Sequence, residues 1–310
     1  RDDLERVAGN ASGEQSNGTL RLPRITTSAT EVLATARPAY TPDLAAAGPL
    51  LPEEARLHAN GARSLFRIPL MTRGSAVGVL SVSSKRPACF TPEDFETLEQ
   101  LGGQIGVALE NTRLLADLQE LLVGTVKSLS YAIDAKSSWT AGHSERVTRY
   151  ALLLGREVGM AEGQLRELEL AGLLHDVGKL GVFDAILDKK TVLSKEEFEM
   201  IKRHPLHGAE LLAPIKQMQH IIPAVRHHHE RFDGKGYPDG LQGEQIPGLA
   251  RLLAVADAFD SMTGWRPYRK TFDLAEAIEE LRRCSGSQFD PVLAEQFIEM
   301  THKSGLRTHA

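Results

Sequence analysis

Apolar positions along the chain follow two different periods. Leu65-Phe66-Arg67-Ile68-Pro69-Leu70 and Ala76-Val77-Gly78-Val79-Leu80-Ser81-Val82-Ser83 read as strands, and Thr72-Arg73-Gly74-Ser75 between them has turn chemistry, which predicts a hairpin. Residues 8–19 and 38–56, rich in Gly, Pro, Ala and Asn, read mainly as loop. The period becomes helical at Thr91-Pro92-Glu93-Asp94, where a threonine cap, a proline at the first helical position and two acids form a start signal. Apolar residues recur at Leu101, Ile105, Ala108, Leu115, Leu122, Val126, Leu129 and Ile133, interrupted by Thr112 and Gln119. This predicts one long helix or two in tandem, packed on their own domains or pairing two copies as a signalling helix. From residue 140 onward the pattern is almost wholly helical. Val147, Ala151, Leu154 and Val158 make one stripe, and Leu165, Leu168, Ala171 and Leu174 another. Segments 195–203, 207–213, 220–230, 249–262, 273–283 and 290–302 complete a set of about eight helices. The single long non-helical stretch expected is 231–248, with its glycines and prolines.

A chain of 310 residues has room for two domains. Apolar content of 42% and charged content of 25% are those of a soluble globular protein. The formal net charge of −5 argues against a broad surface for a nucleic-acid polymer. Cys89 and Cys284 belong to no metal or redox motif, which fits a reducing cytosol. No apolar run approaches the roughly 18 residues that would span a bilayer, and no signal peptide is evident. The chain begins at Arg1, so a longer parent protein is expected.

Candidate chemistry is concentrated in one region. Eight of the eleven histidines lie between His143 and His229, among aspartates. Imidazole and carboxylate together suit iron, manganese or zinc, and the spacing is too long for a zinc finger. His175-Asp176 ends an apolar helix, where two adjacent side chains can converge. The two carboxylate oxygens of Asp176 could bridge two cations. Lys179, one turn later, is a natural phosphate contact. Asp257 lies in an otherwise apolar helix, a costly position unless the carboxylate is paired or bound to metal. His228-His229 place two imidazoles side by side, and His227 before them leaves open which pair acts. His143 opens a helix; taken alone, it and His204 would be unremarkable. Several segments contributing ligands to one core is how a site for more than one metal is built.

His175-Asp176-Val177-Gly178-Lys179, taken with His228-His229-Glu230-Arg231-Phe232-Asp233-Gly234-Lys235-Gly236-Tyr237-Pro238, closely resembles the HD-GYP family, a branch of the HD phosphohydrolase superfamily that hydrolyses bacterial cyclic di-GMP. The resemblance covers roughly residues 125–303. It implies metal ligands His143, His175, Asp176, His204, His228, His229 and Asp257. Asp176 would bridge, with His143, His175 and Asp257 on one ion and His204, His228 and His229 on the other. Lys179 would hold a phosphate oxygen, and Arg266 and Arg269 would grip guanine and phosphate groups. Gly236, Tyr237 and Pro238 match the loop that names the family and would contact partners such as GGDEF-type signalling proteins. Members with three metals carry a glutamate where this chain has Trp139, so two divalent ions are expected, iron first and manganese or others as alternatives. The product expected is pGpG, with GMP as the alternative. A hydroxide shared by the two cations would attack phosphorus, with Asp176 and Lys179 as the catalytic residues. Rival readings are a hydrolase of another nucleotide, such as cyclic GMP-AMP, and an inactive cyclic di-GMP sensor.

The N-terminal part resembles a GAF domain, an α/β sensor module, in Ala62-Arg63-Ser64-Leu65, Ile68-Pro69-Leu70, Gly78-Val79-Leu80, Phe90-Thr91-Pro92-Glu93-Asp94 and Leu98-Glu99-Gln100-Leu101. The expected organisation is therefore multidomain. A GAF-like α/β sensor domain, N-terminally truncated, occupies 1–112. A linker or signalling helix follows at 113–135, and an all-α HD-GYP phosphodiesterase domain at 136–310. A homodimer through the 91–133 helix, regulation by the GAF-like domain and a bacterial cytoplasmic location, with no membrane segment in this stretch, complete the expectation.

Overall fold

The computed structural model describes residues 28–136, 140–187, 189, 191, 193–264 and 271–304, together with four two-residue strands between Leu4 and Leu22. Trp139, Arg266 and Arg269 lie outside the described residues. The chain forms two compact units, divided between Leu118 and Gln119.

The first unit is built on an antiparallel sheet of Ala39–Thr41, Ser64–Thr72 and Ser75–Ser84, in that order. The predicted hairpin is present, with Phe66 opposite Val82 and Ile68 opposite Leu80, and an irregularity after Leu70. Its turn carries positive φ at Arg73 (45°) and Gly74 (84°), the backbone of a tight two-residue hairpin loop. Tyr40, Phe66, Phe90 and Phe95 pack as an aromatic cluster, with Phe66 and Phe95 centroids 4.6 Å apart. Two helices stand where the periodicity showed none: α1 (Ser28–Thr35) and α2 (Pro52–Ala59). Residues 38–56 are mainly loop as expected, apart from Ala39–Thr41 and the start of α2. In α2, Pro52 opens the helix and Glu54 accepts the backbone N–H of Leu51 at 3.2 Å. Eight residues are too few for a 3.6-residue period to stand out.

Helix α3 runs Pro92–Asp134, with residues up to Leu118 in the first unit and those from Gln119 in the second. Much of its predicted apolar stripe faces solvent: Leu101, Leu115, Leu122 and Leu129 are exposed, and Val126 and Ile133 are buried.

The second unit is helical. It comprises the last part of α3, then α4 (His143–Glu157), α5 (Glu162–Leu174), α6 (Asp184–Leu187), α7 (Lys195–Ile201), α8 (His204–Leu212), α9 (Ile222–His227), α10 (Gly248–Thr263), α11 (Leu274–Cys284) and α12 (Pro291–Ser304). The stripes read from sequence form its core: Val147, Ala151, Leu154, Leu168, Ala171 and Leu174 are all buried. Tyr150 on α4, Phe259 on α10 and Phe297 on α12 meet edge-on or tilted, with centroids 5.1 Å (Tyr150–Phe259) and 5.0 Å (Phe259–Phe297) apart. Residues 231–247 are non-helical apart from one short 3-10 turn, Gly243–Gln245, and Gly248 already begins α10. A shorter break, the 3-10 helix Val177–Gly181, directly follows the His175-Asp176 pair. Two helices differ from their expected bounds. The helix expected at 207–213 starts at His204, with Pro205 in its first turn, where a missing N–H costs nothing. The helix expected at 220–230 is only Ile222–His227. No helix among the described residues is long and apolar enough to cross a membrane.

Helices α4 and α5 must approach closely, because one begins with a candidate ligand and the other ends at one. Gly172 allows it: a Cβ there would meet Thr148 Oγ1 at 2.6 Å and Thr148 Cα at 3.1 Å. Gly172→Ala is expected to lower the stability of this unit by about 1–3 kcal/mol through overpacking. Urea unfolding followed by circular dichroism checks this, and an unchanged midpoint would contradict the tight crossing.

Candidate metal centre

Three of the histidines are aimed by the same device. The last carbonyls of a helix have no partner within it. His175 follows the last residue of α5, and its Nδ1–H donates to Gly172 O at 2.7 Å. His228 follows α9 and donates to Val225 O at 2.7 Å. His204 comes three residues after Ile201, the end of α7, and donates to Ile201 O at 2.7 Å. A carbonyl can only accept, so each Nδ1 carries a proton, and in its neutral form each ring would present a bare Nε2.

His143 is held by a carboxylate instead. Its Nδ1–H donates to Asp260 Oδ2 at 2.8 Å, and Arg146 clamps Asp260 through Nε (2.7 Å) and Nη2 (3.0 Å). The start of α4 is fixed by Asp134, which accepts the backbone N–H and hydroxyl of Ser144 at 2.9 and 2.8 Å. A carboxylate satisfying orphan donors at a helix start is the favourable polarity.

The free ends of these side chains converge. Ligand atoms of Asp176, His204, His228 and His229 lie within 4.8 Å of one another, and so do those of His143, His175 and Asp257. Asp176 faces both groups: Oδ1 is 3.2 Å from His204 Nε2, and Oδ2 is 3.3 Å from His175 Nε2 and 3.7 Å from His143 Nε2. Asp257 Oδ1 lies 3.2 Å from His143 Nε2. His175, Asp176, His204 and His228 are all buried.

Several of these contacts do not satisfy the atoms that make them. His175 Nε2 and Asp176 Oδ1 are buried without a hydrogen-bond partner. His204 Nε2 and His228 Nε2 stand 3.2 Å apart, and since each ring gives its Nδ1–H to a carbonyl, two lone pairs would face each other with both rings neutral. Buried acceptors turned on one another are costly unless a cation lies among them. The donor set thus fits divalent metal.

The charge states differ across the cluster: burial lowers His228 and His229, whereas at His143 and His175 burial is outweighed by the neighbouring carboxylates, which raise both. Burial, reinforced by the neighbouring histidines, pushes His228 well below its ordinary value, and burial with His204 pushes His229 down to about 3. Both are therefore neutral, the form that coordinates. Burial alone would neutralise Asp176, but Lys179 and His175 hold its carboxyl well below the usual range. Asp257 is held down in the same way by His143. Burial would lower His143, yet its bonds to Asp257 and Asp260 raise it to about 9.

The structure thus brings together all seven residues singled out in the sequence. Lys179 sits beside them, with its ammonium on Asp176 Oδ2. His227 does not take part: it bonds Pro223 O at 2.8 Å and Asp239 Oδ2 at 2.9 Å, so the pair facing the site is His228-His229. The turn holding Asp176 packs hard against α8. A Cβ on Gly178 would lie 1.9 Å from His204 O. In the 231–248 loop, Tyr237 lies over His229 with centroids 5.0 Å apart, and the Tyr237–Pro238 peptide is cis. Glu230, buried, accepts the N–H groups of Asp239 (2.7 Å), Gly240 (3.0 Å) and Leu241 (3.2 Å). Sequence reasoning missed the parts played by Asp260, Arg146 and Glu230. The three-residue spacing of Asp257 and Asp260, two acids on one face of an apolar helix, was the available signal.

Residues 127–293, more than half of the chain, match the family model of the HD domain. The chain belongs to the HD domain family. Residues 2–110 match the GAF domain. Among curated relatives of this HD domain chain, the cyclic di-GMP phosphodiesterase PA4108 of Pseudomonas aeruginosa is 41% identical over 54% of this chain and 40% of its own. The cyclic di-GMP phosphodiesterase response regulator RpfG of Xanthomonas campestris pv. campestris is 38% identical, over 61% and 51%. The 3'3'-cGAMP-specific phosphodiesterase 2 of Vibrio cholerae is 36% identical, over 66% and 40%. The chain spans about half or less of the length of these relatives.

In this HD domain Asp260 orients His143, a candidate ligand, and is not grouped with the candidate ligands itself. Asp260→Ala is expected to weaken metal binding by roughly 10–100-fold, and Asp260→Asn, which keeps an acceptor for His143, by less. Competition titration with a metal-sensitive dye reads this, and wild-type affinity in the alanine variant would break the link.

Proposed function

We propose that the HD domain is a metal-dependent cyclic-dinucleotide phosphodiesterase acting first on cyclic di-GMP and releasing pGpG. The observation that carries this reading is the two groups of buried imidazoles and carboxylates that meet at Asp176, where His175 Nε2 and Asp176 Oδ1 have no hydrogen-bond partner. In this reading His143, His175 and Asp257 hold one divalent ion, His204, His228 and His229 the other, and Asp176 both. Iron is the first choice, with manganese an alternative for the same donors. A bound pair of divalent cations supplies Lewis acidity and a water acidified to near neutrality.

The chain's own residues do the rest. The helix-end carbonyls and Asp260 keep the rings in one tautomer and orientation, so that little reorganisation accompanies reaction. Lys179, now on Asp176, is placed to exchange that contact for a phosphoryl oxygen of the substrate. Arg266 and Arg269 are proposed to bind guanine and phosphate, and the Gly236-Tyr237-Pro238 loop to meet signalling partners of the GGDEF type. The exposed leucines of α3 support a homodimer through that helix; regulation by the GAF domain and a bacterial cytoplasmic location are proposed with it. A second reading has support as well. A relative is specific for 3'3'-cGAMP, which makes cyclic GMP-AMP the alternative substrate.

Purified protein loaded with iron or manganese, given a panel of cyclic dinucleotides and followed by chromatography, is expected to convert cyclic di-GMP to pGpG. Tight binding of cyclic di-GMP without product, in metal-replete protein, would turn the reading into that of a sensor. Metal analysis should return two ions per chain. Asp176→Ala should lose both metal and turnover. Lys179→Ala should keep its metal and slow hydrolysis by roughly 10–1,000-fold, as for loss of one charge-stabilising donor.

A further inference from the structure

A cavity of about 320 Å³ opens on His228, His229 and Asp257 and runs from there toward α11, where Glu280, Cys284 and Gln288 line it. Its volume lies in the range of about 300–1,000 Å³ typical of small-molecule sites. The two ends differ in charge. The histidine end suits a phosphate held by metal. The far end presents the Glu280 carboxylate together with Arg231, whose charge is already paired with Asp233, and the carboxylate favours a group rich in N–H donors.

Arg283 holds both Glu280 oxygens, Nε on Oε2 at 2.7 Å and Nη2 on Oε1, a bidentate pair that solvent partly screens and whose carboxylate a ligand would have to share or displace. Gln288 Oε1 accepts from Arg231 Nη1 at 3.1 Å, so its carboxamide has the N–H2 end to offer. A carboxylate beside an amide donor matches guanine, which carries an exocyclic N2–H2 donor and the acceptors O6 and N7. Adenine lacks the 2-amino group.

We propose that this cavity seats a guanine base of the dinucleotide, with Glu280 accepting from the guanine N–H edge and Gln288 donating to O6 or N7. The assignment rests on the phosphodiesterase reading above. Its test compares kcat/KM for cyclic di-GMP and cyclic di-IMP, whose inosine bases lack the 2-amino group, in the wild type, Glu280→Ala and Glu280→Gln. The wild type should prefer cyclic di-GMP by roughly tenfold or more, the worth of about one hydrogen bond to a charged group. Glu280→Ala should lose that preference, and Glu280→Gln, which keeps one acceptor, should fall between. An alanine variant with the full wild-type preference, or a wild type with none, overturns the assignment while cyclic di-GMP is still cleaved. Bis(4-nitrophenyl) phosphate, which has no base, reports the metal centre separately. A wild type that cleaves it but no cyclic dinucleotide overturns the phosphodiesterase reading, and this assignment with it.

Discussion

Asp176 sets the arrangement of everything around it. One buried carboxylate faces His204 with one oxygen and His175 and His143 with the other. Taking a lone carboxylate out of water would ordinarily neutralise it. Here Lys179 and the surrounding imidazoles keep it ionised. The fold must therefore bring several helix ends to one point. The close packing of Gly178 on α8 and of Gly172 on α4 is the steric condition for doing so.

The histidines show how backbone geometry can replace side-chain partners. At three helix ends the chain uses a carbonyl that α-helical bonding leaves unpaired, and the ring that takes it is fixed in tautomer and direction at once. His143 begins a helix rather than ending one, so no such carbonyl is available. The chain supplies the charged Asp260–Arg146 pair in its place. Where a residue lies in its helix thus decides what kind of support it needs.

Much of this was legible in the sequence, and what was not had physical reasons. The stripes of α4 and α5 and the hairpin were readable because each buries one face and repeats its period several times. Asp257 could be read because an acid in an apolar helix demands a partner. Helices α1 and α2 were hidden by their length. Which of His227, His228 and His229 face the site depends on the residue at which α9 stops, and periodicity cannot place an end that finely. The roles of Asp260 and Glu230 depend on partners far along the chain or on the path of an irregular loop. Local pattern carries neither.

Glu230 follows His229 in the chain and spends its carboxylate on three successive backbone donors of the outer loop. The loop and the paired imidazoles are thereby fastened through a single residue. Anything that seizes residues 239–241 from outside must either strip a buried acid of its donors or drag the neighbouring rings along. That stretch is a handle on the interior, and a macromolecule pulling on it would reach the histidine cluster without entering it.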